Sequence, residues 1–131
     1  MKEMMMHGHR VRFSMDLMGY AGKGLDSPVH CVIDLDSMHQ NRASFIFAPL
    51  YGCCGVVVSS ASKNPHLNSQ LFHQIKAEFA RWLGYSCMLA TVECTNFPEV
   101  IGAGKNGWVF VDSFVNKRTN HTLGVMVKHL G

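Results

Sequence analysis

The feature that most constrains this chain is a change of hydrophobic period near Ser60. Before it, Val29, Cys31, Ile33 and Leu35 alternate with His30, Val32, Asp34 and Asp36, the period of two of a half-buried strand. Cys53 to Ser60 (CCGVVVSS) is a largely apolar run, as expected of a central strand covered on both faces. After it, Leu67, Leu71, Ile75 and Phe79 fall four apart, and Phe72 and Leu83 widen the stripe. Gln70, His73, Gln74, Lys76 and Arg81 take the other faces, so an amphipathic helix is expected with His66 and His73 as surface histidines. Asn64-Pro65 marks its start and Gly84 its stop.

The flanking segments complete the order. Arg10 to Leu17 is a strand candidate, Gly19 to Pro28 a loop, Met38 to Arg42 a turn, and Ala43 to Phe47 a strand broken by Ala48 to Gly52. Met88 to Cys94 reads as a strand and Phe97 to Gly104 as a short helix with Pro98 in its first turn. Trp108 to Val115 and Thr122 to Leu130 close the chain as two strands. Three strands, a helix, a strand, a short helix and two strands imply an α/β (α+β) fold: a mixed, mostly antiparallel central sheet with flanking helices.

Composition limits the function classes. At 131 residues and 47% hydrophobic, the chain is expected to be one domain, 1–131. A net charge of +3 on dispersed basic residues argues against a nucleic-acid groove. No run approaches the roughly 18 apolar residues of a membrane span, and the opening MKEMMMHGHR lacks a secretory core, so a cytoplasmic protein is expected. Cysteines 31, 53, 54, 87 and 94 contain no C-x-x-C pair and the eight histidines are scattered, so reduced thiols and no metal are expected.

A strand, a loop and a long helix, as in Val56 to Ser69, offer free backbone N–H groups and a positive helix end to phosphate. A strand ending at Asn96, a short helix and Gly107-Trp108 follow. In these residues the chain, over about 29 to 130, resembles the GNAT superfamily of N-acetyltransferases, in particular the compact members carried by phages and prophages. The resemblance implies that residues 1–28 compress the family's first strand and two helices, and that 29–131 form the sheet and CoA-binding core. It implies acetyl-CoA as co-substrate, held by Val57, Val58, Lys63, Asn64, His66, Leu67, Asn68 and Asn96, and an amine as acceptor.

The chain departs from the family pattern at two places. Lys63-Asn64-Pro65-His66-Leu67-Asn68 contains no glycine where the family's phosphate loop has two, and Ala103 stands where many members carry a tyrosine that reprotonates the departing thiolate. Acyl transfer to an amine needs a base, a polarised carbonyl and a stabilised thiolate. Glu93, on the strand that ends at Asn96, is the catalytic candidate for the base; His30 and Asp34 are weaker ones, and Cys94 is expected to be a buried thiol rather than a nucleophile. Backbone amides of Val56, Val57 and Val58 would polarise the carbonyl if their strand parts from its neighbour near Cys94 and Thr95. The alternative is an inert binding protein on the same fold, acting through its surface or as a homodimer through sheet or C-terminal hairpin contacts.

Overall fold

The computed structural model describes residues 2–17, 28–36, 38–50, 52–65 and 67–131. The loop expected at Gly19 to Pro28 lies outside the described residues except for Pro28. Strands β1 (Lys2–Met6) and β2 (His9–Leu17) form a hairpin closed by His7-Gly8, both at positive φ (48° and 81°). Positive φ at both central residues matches the right-handed twist of the strands, and glycine reaches it without strain.

Strands β3 (Val29–Leu35), β4 (Met38–Pro49) and β5 (Gly55–Lys63) extend the sheet antiparallel. Leu35 already pairs with Met38, so the residues expected as a turn at Met38 to Arg42 are strand and the reversal precedes them. Asp36 makes the early reversal possible. It takes φ 52°, and its carboxylate accepts the Arg10 N–H at 2.9 Å and bonds the His9 ring at 3.0 Å. Pro49 did not break the strand where expected, because it is the last residue of β4, where a missing N–H is tolerated.

Helix α1 (Ser69–Trp82) then returns the chain to β6 (Cys87–Glu93), which runs parallel to β5. Helix α2 (Phe97–Lys105) leads to β7 (Val109–Asn116) and β8 (His121–His129). The sheet order is β1-β2-β3-β4-β5-β6-β8-β7, so the last hairpin folds back to put β8 beside β6 and β7 at the edge.

The core lies between the sheet and α1. Val11, Phe13, Cys31, Ile33, Phe45, Phe47, Val56 and Met88 meet Leu71, Phe72, Ile75 and Phe79. Phe79 is its hub, with ring centroids 4.7 Å from Phe13, 5.2 Å from Trp82, 5.8 Å from Phe45 and 6.1 Å from Phe47. The fourfold apolar spacing is buried as expected. His73 and Lys76 are buried too, against the expectation for His73 and for the polar faces of this helix. The helix is covered on two sides, by the sheet and by α2, and these residues face the second. Among the described residues, no helix is long and apolar enough to cross a membrane.

Candidate functional site

The cleft follows from the strand pattern. β5 and β6 pair only at Gly55–Cys87, Val56–Met88 and Val57–Leu89, although β5 continues to Lys63 and β6 to Glu93. The separation thus begins just past Val57 and Leu89, earlier than the expected point near Cys94 and Thr95. Backbone groups of β5 that face the gap beyond Val57 have no ladder partner on β6, which leaves them open to a ligand.

A cavity of about 300 Å³ occupies this gap. Val57, Val58, Ser59 and Ala61 form its β5 wall, and Ala90 and Thr91 its β6 wall. His73 and Lys76 reach in from α1 and Glu99 from α2, with Trp108 and Met126 behind. A second chamber of about 230 Å³ shares Ala61, His73, Lys76 and Glu99 and extends to Lys63 and Ser69. The two together make one channel from the start of α1 to the point where the strands part.

The α1 end suits an anion. Asn68 is the N-cap and its side chain accepts the Leu71 N–H at 3.1 Å, leaving the N–H groups of Ser69 and Gln70 at the helix start. The first turn carries no acidic residue, and Lys63 lines the adjoining chamber. A positive helix end, free amides and a lysine thus come together here without a glycine.

The other sequence candidates are placed as follows. Asn64 accepts the Leu67 N–H on its backbone oxygen at 2.9 Å and lines a groove of about 500 Å³ with Lys63, His30 and Arg42 on the opposite face of the sheet. Leu67 is buried in the core rather than in the cleft, and Asn68 works as a cap. His66 lies outside the described residues. Asn96 is the N-cap of α2, exposed, and its side chain makes no capping bond. Glu93 is half-exposed and bonded to Nδ1 of His121 at 2.9 Å. It alternates with the buried Val92 and so projects from the sheet face away from the helices. Asp34 is paired with Arg42 at 2.8 Å and Cys94 is partly buried.

The titratable groups of the cleft were not among the sequence candidates. Nε2 of His73 is 3.6 Å from Oε1 of Glu99, and its buried Nδ1 has no hydrogen-bond partner among the described residues. Burial pushes the His73 pKa below 6.5, helped by the Lys76 charge, while Glu99 pulls the other way. The Lys76 ammonium lies 4.5 Å from the Phe72 ring centroid, and burial lowers its pKa from 10.5. Their sequence signal is slight: each directly follows an apolar stripe residue, Phe72 or Ile75. Nothing local says that α2 will cover that side.

No protein-family model and no curated protein matches the sequence. Solved structures do match. A spermidine N-acetyltransferase chimera from Vibrio cholerae and hSSAT superposes with a TM-score of 0.67 at 11% identity, over 79% of this chain and 68% of that one. A probable acetyltransferase of the GNAT family from Chromobacterium violaceum gives 0.63 at 15% identity, over 79% of this chain and 57% of that one. The chain has the GNAT fold. A nourseothricin acetyltransferase gives 0.61 at 13% identity, over 79% and 66%. The matches take in 79% of this chain and about two thirds or less of the length of each of these proteins.

Proposed function

We propose that the chain is an N-acyltransferase that moves the acyl group of acetyl-CoA to an amine. The observation that carries this reading is the channel itself: an anion-suited helix start continuous with a gap bordered by unpaired strand backbone. In this reading the phosphates lie at Ser69 and Gln70 beside Lys63, and the pantetheine arm runs between β5 and β6. Amides of β5 just past Val57 polarise the thioester carbonyl. The orphaned Nδ1 of His73 supports a ligand here, because a buried unpaired nitrogen costs about 1–3 kcal/mol that a bound amide or hydroxyl removes.

The acceptor approaches from the other face of the sheet. Glu93 projects there and is hydrogen-bonded to His121, a pair able to take a proton from the neutral amine acceptor as its nitrogen bonds to the acyl carbon. Solved structures of this fold include proteins titled as acetyltransferases of spermidine and of nourseothricin, which supports an amine acceptor for this chain. The test is release of free CoA thiol from acetyl-CoA in the presence of a panel of primary amines. Amine-dependent release that falls at least tenfold in Glu93→Gln supports the reading, and release with no amine in the panel and no effect of Glu93→Gln contradicts it.

The partner proposed for the edge of the sheet is a second copy of the chain. Val109, Phe110, Val111, Phe114 and Val115 of β7 are all exposed, so both faces of an edge strand are apolar. The irregularity between Phe110 and Asp112 confines regular pairing to the segment after it. Antiparallel pairing about a dyad normal to the sheet can set Phe114 against the partner's Phe114, so that the apolar side chains of each face of the strand continue across the seam.

A further inference from the structure

We propose that Lys76 and His73 of α1 form the site that receives the leaving thiolate, with the Lys76 ammonium as its proton donor. The inference rests on the acyl-CoA reading above. It begins from packing between the two helices. A Cβ built on Gly102 of α2 would sit 4.0 Å from Nε2 of His73, and Ala103 beside it is fully buried. Two small residues in succession leave room on α2, and the His73 ring comes up to it from α1. His73 and Lys76 of α1 bring N–H donors to the channel, and Ala103 does not line it.

The residues facing this pair come from each neighbouring element. Glu99 of α2 is 3.6 Å from His73, Lys128 of β8 adds positive potential at His73, and Lys63 of β5 lines the same channel. Among the described residues Glu99 is the only carboxylate lining the channel. At Lys76 burial outweighs the favourable Glu99 carboxylate, so its charge is only partly compensated beside the parted strands, where a neutral slot would suffice for the pantetheine amides alone. Burying an ammonium is costly unless something anionic comes to meet it. A thiolate is such a group, and it exists only as the carbon–sulfur bond breaks.

The step balances with the groups present. The acceptor nitrogen bonds to the acyl carbon, the carbon–sulfur electron pair leaves on sulfur, and Nζ of Lys76 gives sulfur its proton. The proton lost by the acceptor nitrogen passes to the Glu93–His121 side, and Lys76 regains its own from solvent through the channel mouth. His73, whose pKa is lowered by burial, keeps a second positive charge out of the site, and the Phe72 ring lies under the Lys76 ammonium at 4.5 Å. Burial brings the ammonium closer in acidity to a thiol, which a surface lysine is not.

The experiment is a pH titration of the thiol of free CoA bound to the intact protein, read by thiolate ultraviolet absorbance. A thiol ordinarily titrates near 8.5; bound to this protein it is expected at least about one unit lower, a tenfold gain in thiolate. In Lys76→Met the thiol returns to its free value while CoA still binds. In Lys76→Arg, which keeps the charge but gives up no proton, the depression persists and amine-dependent turnover falls at least tenfold. Bound CoA with an unshifted thiol in the unaltered protein overturns this inference and leaves the acyl-CoA cleft standing. Failure of CoA to bind at all overturns the cleft and the inference with it.

Discussion

Nε2 of His73 and Oε1 of Glu99 face each other at 3.6 Å across the gap between α1 and α2, with His73 buried and Glu99 half-exposed. The contact joins the two helices at the cleft, yet burial outweighs the carboxylate and the His73 pKa is lowered. The unfolded chain then binds a proton near pH 6.5 that the folded one resists. This contribution to stability is complete above about pH 6.5 and is lost as pH falls below it toward the lower folded pKa. Urea unfolding at about pH 7.5 and about pH 5 is expected to give a drop that His73→Gln diminishes; an equal drop in both proteins contradicts the assignment.

Lys76 is a cost to the empty protein. It is buried, its ammonium lies over the Phe72 ring, and burial lowers its pKa despite the Glu99 carboxylate. Lys76→Met keeps the length and the packing while removing the charge, and should stabilise the protein by about 1 kcal/mol. The unaltered protein should gain stability as pH rises toward about 10.5, where the unfolded lysine also loses its proton, and the variant should lack that gain. A melting temperature lowered by Lys76→Met would show that the charge holds the fold together.

Phe79 joins β2, β4 and α1 through three phenylalanine rings, and Trp82 packs on it from the next turn of the helix. Truncation to alanine leaves a void with rigid strands on one side, so Phe79→Ala should lose about 3–5 kcal/mol in chemical denaturation. A loss below about 1 kcal/mol would mean that α1 does not pack as described.

The thiols range from buried to exposed, with Cys87 and Cys94 between the extremes. Cys31 lies in the core, and burial pushes its pKa up to about 12, whereas Cys53 and Cys54 are exposed. A thiol reagent under native conditions should label Cys53 and Cys54 quickly and Cys31 only on unfolding. Mass spectrometry of digested, labelled protein checks this, and rapid labelling of Cys31 would contradict the placement of β3.

Sequence periodicity carried the architecture but not the site. Val29–Leu35 and the apolar stripe of α1 were legible because each repeats one local geometry, a pleat or a helical turn. The run of β4 through Arg42 was not, because the early reversal depends on Asp36 meeting Arg10 and His9 from another hairpin. The burial of His73 and Lys76 is hidden from the sequence for the same kind of reason, since both fall off the apolar stripe. Their burial is set by α2, which comes about twenty-five residues later in the chain. Asn64-Pro65 marked the approach to the helix, but α1 begins only at Ser69, after Leu67, and the role of Asn68 as its cap depends on the helix forming one residue beyond it.

Self-association through β7 is a matter of concentration. Light scattering should give twice the chain mass at micromolar concentration, and Phe114→Glu should return it to the monomer without altering the far-ultraviolet spectrum. A monomer at all concentrations in the unaltered protein contradicts the proposed edge pairing.

The most direct test of the acyl-CoA cleft is calorimetric titration of acetyl-CoA, with Lys63→Glu as the control at its phosphate end. The account predicts one saturable site per chain, weakened at least tenfold by Lys63→Glu, and a stabilisation of about 2.7 kcal/mol at a hundred times the dissociation constant. Absence of heat and of any melting shift with either acetyl-CoA or free CoA at millimolar concentration would contradict it.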